Sequence, residues 1–345
     1  MALSSSATSL PATDTTLLRP RFEWSIDANA VIQNREGGDD MSPDQTFLFT
    51  HLTPQVGIGF GRHRFMGGVV WYQPMNNEMT GYKVVPLAYY QYADKRFNLA
   101  IGMLPARETM PRYLRSDSLT FVQPILRGAT VGYHHGANCF DAWLDWRQMQ
   151  SATRREAFAA GFLYRHAFTV GRGVTLSPEV TVEYSHLAKT SSDLPDEGVN
   201  DHLVASPMVR LEAGAFNVAA GALVSFDRDR LLDNKWLTRA GLLVDAHWQW
   251  RRFAVEETLY VGKEQMPLYD RYGAELYWGD TWLHNDFYSR TDVVATIFSN
   301  TMVNVEGRLT LHASNHTTAF WQQLSARFFF DTATKHRAAP LHPRF

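Results

Sequence analysis

The feature that most constrains the fold is the stretch 173–186, GVTLSPEVTVEYSH. Apolar residues from Val174 to Tyr184 alternate strictly with polar residues from Thr175 to Ser185. A period of two over such a length predicts a β-strand, because successive side chains of a strand point to opposite faces. One face of this strand is apolar, and the other is polar and acidic.

The length of the stretch is as informative as its period. Strands of soluble proteins run about 5–6 residues, whereas a tilted strand that crosses a bilayer needs about 9–11. The same alternation recurs along the whole chain. Sixteen segments show it: 22–33, 47–60, 64–73, 82–92, 97–104, 127–134, 139–148, 157–168, 173–186, 202–211, 215–226, 239–250, 253–262, 286–298, 302–312 and 319–330.

The connections between these segments differ in length in a regular way. Those after the second, fourth and later even-numbered strands are short, and most of those after odd-numbered strands are longer and more polar. The modest connections near 151–155 and 314–317 are exceptions. A transmembrane barrel with short periplasmic turns and longer extracellular loops sorts its connections in this way. An even strand number places both termini on the periplasmic side.

Composition excludes several classes of protein. The longest run of low polarity, 218–226, is far shorter than the roughly 18 apolar residues of a spanning helix. The mean hydropathy of −0.27 is compatible with a barrel, whose alternation hides its apolar surface. The single cysteine, Cys139, argues against a disulfide framework and a cysteine-based metal site. A net charge of −2 without a basic run predicts no nucleic-acid partner.

The predicted fold is therefore all-β: one closed, antiparallel transmembrane β-barrel of about sixteen strands. Backbone groups in lipid must be paired internally, which leaves only helices and closed barrels. In the alternative, a soluble sandwich, the apolar faces would meet across a core about 10 Å thick. Sixteen strands would make such a sandwich unusually large, whereas in one barrel they leave room for an aqueous channel.

The chain resembles a bacterial outer-membrane β-barrel of the porin type. The resemblance is carried by the alternating strands from Phe22 to Phe330, by the asymmetry of the connections, and by the aromatic end of the last strand, ARFFF. Two departures are the tail after that strand and the prolines within strands: Pro86, Pro178 and Pro207. The resemblance implies an integral outer-membrane channel for passive diffusion of small polar solutes or ions. It implies outer-membrane lipid as a partner and, since such barrels are often trimers, a homotrimer.

The predicted organisation has three parts. Residues 1–19 form an N-terminal tail or signal-peptide remnant, 20–331 form the barrel, and 332–345 form a C-terminal tail. Residues 1–12 are small and polar and resemble the region around a signal-peptide cleavage site. We expect either a true start upstream of Met1 or a mature chain, with a disordered tail as the alternative.

Segment 105–124 interrupts the alternation and contains three prolines. It is the third long connection, which in porin-like barrels folds into the lumen and narrows it. Opposed charges there would create a transverse field that polar solutes tolerate. A solvated surface loop is the alternative. The predicted constriction residues are Arg107, Glu108, Arg112, Arg115 and Asp117.

Charged residues on the polar faces of the strands are predicted to line the lumen. A pair of carboxylates could support acid–base chemistry, but a wall wetted by water is the simpler interpretation. The predicted lumen-lining residues are Asp141, Asp145, Arg147, Glu179, Glu183, Glu306 and Arg308. A further set of arginines could form a basic ladder: Arg127, Arg165, Arg210, Arg239, Arg290, Arg308 and Arg327.

No catalytic residue, metal site or cofactor is predicted. Ser185 and His186 are neighbours on opposite strand faces, and no nucleophile elbow occurs. His134 and His135 also point opposite ways, which makes them a poor metal pair. Two other functions stay open: a barrel with an enzymatic or adhesion role, and a secreted all-β carbohydrate-binding protein or glycosidase. Aromatic residues near strand ends are interpreted as interfacial anchors, with sugar stacking as the alternative: Trp24, Trp71, Trp146, Trp248, Trp250 and Tyr277.

Overall fold

A computed structural model describes residues 19–38, 43–75, 81–105 and 110–332. The predicted tails lie almost wholly outside these ranges. The described chain contains two short helices, α1 (Asp117–Val122) and α2 (Tyr269–Leu276, kinked at Gly273), and a 3₁₀ turn at Thr281–His284. None of the helices in these ranges is long and apolar enough to cross a membrane.

Seventeen strand segments make up the rest of the fold. They are β1 (Arg21–Gly37), β2 (Gln45–Phe60), β3 (His63–Pro74), β4 (Lys83–Ala93), β5 (Phe97–Pro105), β6 (Ile125–His135), β7 (Asn138–Gln148), β8 (Ala157–His166), β9 (Phe168–Gly171), β10 (Val174–Leu187), β11 (Asn200–Ala213), β12 (Phe216–Asp229), β13 (Leu237–Trp250), β14 (Phe253–Gly262), β15 (Phe287–Ser299), β16 (Val303–Ser314) and β17 (Thr318–Asp331).

The segments form one closed antiparallel ring. Each strand pairs with its neighbours in sequence, and β1 pairs with both β2 and β17, which closes the sheet. β8 and β9 both pair with β10 and are two parts of one barrel strand, interrupted at Ala167. The barrel therefore has sixteen strands, as the sequence predicts. Closure leaves no unpaired edge in the bilayer, which a membrane-spanning sheet requires.

The connections alternate in length around the ring, as predicted. The turns at the periplasmic end are short, and several place a residue in the left-handed region that glycine adopts without strain. Gly61, Gly136, Gly173 and Gly214 do so, with φ between 57° and 73°, and Arg251 adopts the same conformation at φ 52° in the β13–β14 turn. The longer extracellular connections include 188–199 and 263–286.

Strand β16 shows how the two faces differ. Leu309 and Leu311 point outward and are each 49% exposed, which is the environment that acyl chains would fill. Arg308 and His312 alternate with them and are buried on the inner face. The predicted assignment of apolar faces to lipid and polar faces to the interior therefore holds for this strand.

The third long connection crosses the barrel interior. It leaves β5, and its residue Arg112 forms an ion pair with Glu256 on β14. Because β8 and β9 count once, β14 is the thirteenth barrel strand, eight places from β5 in a ring of sixteen. The segment then places Phe121 of α1 against Phe49 of β2, with ring centroids 4.7 Å apart. Residues 110–124 thus span the lumen.

Connection 263–286 also folds inward and meets the first segment. The backbone N–H of Ser116 donates to the carbonyl of Trp278 at 2.8 Å, and that of Asp280 donates to the carbonyl of Arg112 at 2.9 Å. Side chains of both segments pack on an apolar part of the inner wall that includes Leu223 of β12 and Leu243 of β13.

This apolar packing corrects two sequence-based expectations. The interior is not polar throughout, because two inserted segments bury apolar inner-wall residues that would otherwise face water. Tyr277 is not an interfacial anchor. Its ring lies inside the barrel 4.7 Å from that of His202, and its hydroxyl donates to Asp227 at 2.8 Å.

A charged residue on the outer face should be costly in proportion to its depth in the bilayer. Leu309→Arg, near the middle of β16, is expected to lower the free energy of unfolding by about 2–4 kcal/mol, because the guanidinium would lie in hydrocarbon. Val303→Arg, on the same face at the periplasmic end, should cost about 0–1 kcal/mol. Urea unfolding in lipid vesicles measures both values, and equal costs would contradict the assigned bilayer position.

Candidate functional site

An interior ion-pair cluster lies where segment 110–124 meets the opposite wall. Its core is a pair of carboxylates, Glu256 of β14 and Asp292 of β15, which are register partners across the two strands. Like charges directly opposite each other destabilise a sheet. Arginines therefore surround them. The cluster consists of Arg112, Asp117, Glu256, Arg290, Asp292 and Arg308.

Two arginines bridge the facing carboxylates. Arg112 Nη2 lies 3.3 Å from Glu256 Oε2 and 3.6 Å from Asp292 Oδ2. From the wall, Arg308 Nη1 lies 2.9 Å from Glu256 Oε2 and 3.2 Å from Asp292 Oδ1. Both carboxylates thus meet Arg112 of the inserted segment and Arg308 of the barrel.

Arg290 joins the same cluster from β15. Its Nε lies 2.9 Å from Asp292 Oδ2, and its Nη2 lies 2.7 Å from Asp117 Oδ2 at the start of α1. Three arginines and three acids balance in formal charge. Buried ions are tolerated only when each is paired in this way.

Asp280 of the second inserted segment lies beside the cluster. Burial raises the pKa of its carboxyl group, although Arg290 opposes this with Nη1 at 3.9 Å from Oδ2. A cavity of about 20 Å³ lies between Asp280, Arg112 and Asp245. That volume is enough for a single water molecule, so the two segments are closely packed here.

The predicted constriction residues have different positions. Arg107 and Glu108 lie outside the described residues. Arg112 and Asp117 are members of the interior ion-pair cluster. Arg115 instead donates from its guanidinium to the carbonyl of Gln123 in its own segment, and that guanidinium lies 5.4 Å from the centroid of the Trp278 ring in the second inserted segment.

Three predicted lumen-lining residues lie together on the inner wall at β7 and β10. Arg147 Nη2 lies 2.9 Å from Glu183 Oε1, and the Trp143 indole N–H donates to Glu183 Oε2 at 2.7 Å. The Arg147 guanidinium stacks 4.1 Å above the ring of Trp278. Asp145 is buried and accepts a hydrogen bond from the backbone N–H of Arg127 at 3.1 Å.

The other predicted lumen residues make separate contacts. Glu179 pairs with Arg210 at 2.8 Å, Asp141 lies 3.2 Å from His134, and Glu306 accepts from the Thr296 hydroxyl at 3.2 Å. Four arginines of the suggested ladder are buried on the inner face: Arg210, Arg290, Arg308 and Arg327. Each of these four has a carboxylate partner.

A second polar cluster lies on the outward face near the extracellular end of β10, β11 and β12. Its centre is Asp201, which has no exposed surface although its side chain points out of the barrel. Asp201 Oδ1 accepts from the Tyr184 hydroxyl at 2.5 Å and lies 2.8 Å from Nδ1 of His186. Arg228 and Arg230 bind Asp201 Oδ2 at 2.6 and 2.9 Å. We call these five residues the outer-face cluster.

His186 and Asp201 have the geometry of a base and its orienting carboxylate. If Nδ1–H donates to Asp201, Nε2 keeps its lone pair and can accept a proton. The His186 ring lies 5.2 Å from that of Phe158, which is 5.3 Å from Trp146. Aromatic rings and two arginines near the extracellular ends of these strands are suited to contact lipid headgroups.

Sequence reasoning missed Glu256, Asp292 and Asp201. Alternation places the first two on inner faces, but only the strand register shows that they oppose each other. His186 was set aside because Ser185 lies on the other face. Its partner, Asp201, is fifteen residues away across a loop.

A protein-family model of the lipid A 3'-O-deacylase type matches residues 15–334. The chain belongs to this lipid A 3'-O-deacylase-type family. No curated protein sequence matches it.

Solved structures similar to this chain include outer-membrane barrels of Pseudomonas aeruginosa. OpdL has 12% sequence identity and a TM-score of 0.53, with coverage of 90% of this chain and 99% of OpdL. OccK2 (OpdF), solved with glucuronate, has the same identity and TM-score, with 90% and 98% coverage. OprD has 8% identity and a TM-score of 0.53, with 90% and 95% coverage. At such identities the likeness shows the fold alone. The shared fold is that of an integral outer-membrane β-barrel.

Breaking the interior ion-pair cluster should be costly. Arg290→Met leaves Asp117 and Asp292 without their shortest ion pairs and is expected to lower the free energy of unfolding by about 3–5 kcal/mol. The matched control, Arg62→Met, removes a periplasmic-turn ion pair to Asp94 that is largely exposed, and should cost about 0–1 kcal/mol. Denaturant unfolding followed by tryptophan fluorescence compares them. A cost for Arg290→Met as small as that of the control would contradict the proposed role of this arginine.

Proposed function

We propose that the barrel is a narrow channel for small polar solutes, with its constriction at segment 110–124. The observation that carries this proposal is the path of that segment across the lumen to the interior ion-pair cluster. Charged groups of both signs are paired there, and such a polar constriction favours polar over apolar solutes. The likeness of the fold to OprD-type barrels supports the same function.

The polar part of the inner wall offers the route for solutes. Gln33 of β1 bonds Gln323 of β17 at 2.9 Å, and the Tyr89 hydroxyl donates to Gln55 of β2 at 3.0 Å. Nearer the periplasmic end of β1, Asp27 pairs with Arg327 at 2.6 Å. This wall lies away from the apolar packing of β12 and β13. Because α1 packs against it where Phe121 meets Phe49, a solute would pass along the wall beside that contact.

Removing Arg112 should open the channel. Arg112→Ser removes one link between the inserted segment and the opposite wall, where Asp117–Arg290 remains, and leaves Glu256 and Asp292 short of one cation. We expect a several-fold larger single-channel conductance and a shift towards cation selectivity, because the unpaired carboxylates attract cations. Planar-bilayer recordings of the purified barrel measure both quantities.

The control variant is Arg62→Ser, which alters an exposed periplasmic turn and should leave conductance unchanged. The proposed constriction is wrong if Arg112→Ser conducts as the wild type does. The channel proposal is wrong if neither the wild type nor Arg112→Ser conducts ions although both migrate as folded, heat-modifiable barrels.

A second candidate function is hydrolysis of an ester in an outer-leaflet lipid. It is favoured by the His186–Asp201 pair on the outward face and by membership of the lipid A 3'-O-deacylase-type family. In this proposal Nε2 of His186 takes a proton from water, and the oxygen attacks the ester carbonyl. The ester C–O bond then breaks, and the protonated imidazole returns the proton to the leaving alkoxide. Asp201 holds the ring and stabilises its charged form.

His186→Gln should remove this activity. A general base contributes about 10²–10⁴-fold to the rate, so fatty-acid release from lipid A should fall by at least about a hundredfold. Mass spectrometry of lipid A incubated with the purified barrel measures the release. His135→Gln, at an exposed turn, is the matched histidine control. If the wild-type protein releases no fatty acid, the second candidate is wrong and the channel proposal is unaffected.

A further inference from the structure

Three different metal-binding side chains meet at the periplasmic end of the β6–β7 hairpin. His134 on β6 and Cys139 on β7 are register partners, and Asp141 lies two residues further along β7, opposite Gly132. One ligand atom from each residue lies within 4.8 Å of the other two. The chain has no other cysteine.

Two separations between these side chains are close to those between neighbouring ligands of a zinc ion. His134 Nε2 lies 3.2 Å from Asp141 Oδ1, and Cys139 Sγ lies 3.6 Å from Asp141 Oδ2. Zinc bonds of about 2.0–2.1 Å to nitrogen and oxygen and about 2.3 Å to sulfur give tetrahedral edges of about 3.3 Å and about 3.6 Å. The two distances end on different oxygens of the Asp141 carboxylate, so a single ion meets all three residues when this carboxylate binds through both oxygens or rotates about its Cβ–Cγ bond.

Gly132 keeps space open beside these side chains. A Cβ atom at this position would lie 3.0 Å from Asp141 Oδ1 and 3.8 Å from His134 Nε2. The His134 side chain is 60% exposed, so ions can reach the group from the periplasmic mouth. Glycine here therefore lets the carboxylate and the imidazole approach each other.

We propose that His134, Cys139 and Asp141 form a binding site for a zinc-class divalent cation. Imidazole nitrogen, thiolate sulfur and carboxylate oxygen are the ligands that zinc takes in proteins. Three protein ligands leave a fourth position for water or a solute group. The sequence predicts no metal site, since it sets His134 beside His135; the cross-strand register instead sets His134 beside Cys139.

A bound cation would have two effects at this place. It would fasten the β6–β7 hairpin by joining its two strands beside the turn. It would also add positive charge at the periplasmic mouth, at the level where solutes leave or enter the lumen. Neither effect depends on the channel or hydrolase proposals above.

The single cysteine permits a direct test. The detergent-purified full-length barrel is alkylated with a maleimide in the presence and absence of zinc chloride. Zinc binding should slow the modification of Cys139 about tenfold or more, because a metal-bound thiolate is not free to react. A chelator should restore the rate. Titration calorimetry should give one zinc ion for each chain.

Matched variants distinguish zinc binding by all three side chains from nonspecific binding of zinc to the Cys139 thiolate alone. His134→Ala and Asp141→Asn should abolish the protection of Cys139, and Cys139→Ser should abolish the calorimetric signal. His135→Ala, which changes the adjacent histidine on the other strand face, should keep both. Heat-modifiable migration checks that every variant is folded. Equal alkylation rates with and without millimolar zinc, or protection that survives in His134→Ala, would overturn the proposal.

Discussion

A bilayer offers no water to backbone amides, and the whole structure follows from that constraint. Every N–H and C=O in the hydrocarbon must find a partner within the protein, which a sheet can provide only by closing on itself. The pairing of β1 with β17 completes this closure. Closure with sixteen strands in turn creates an interior wide enough to receive segments 110–124 and 263–286. The inserted segments, the ion pairs and the apolar packing inside the barrel all depend on this width.

The fold could be predicted because the alternation within each membrane-barrel strand shows which of its faces meets lipid and which meets the interior. Leu309 and Leu311 alternate with Arg308 and His312, and no knowledge of other strands is needed to assign their faces. Leu223 and Leu243 are different, because they lie on the inner face and are apolar. Their burial depends on segments far away in sequence, so alternation alone suggested a uniformly polar interior. Tyr277 was misassigned for the same reason.

The residues of the candidate sites also differ in whether local sequence is enough to recognise them. Arg112 and Asp117 could be named because they lie in a segment that breaks the alternation, and such a break marks an unusual connection. Their partners, Glu256 and Asp292, become recognisable only when the register places them side by side. Asp201 is a carboxylate on a face that otherwise meets lipid, and its burial by His186 and Arg228 needs three strands in place. Local patterns therefore predict which residues are unusual, while pairing between strands decides what they do.

The ion pair between Arg112 and Glu256 also bears on how the chain is assembled. The two residues are 144 positions apart, and Asp292 and Arg308 come later still. Until these C-terminal strands join the sheet, segment 110–124 has no opposite wall to bind, and its arginine stays in water. The growing sheet can therefore curl without an obstacle in its centre. The segment can therefore reach its observed position only when the strands that carry Glu256, Asp292 and Arg308 are part of the sheet.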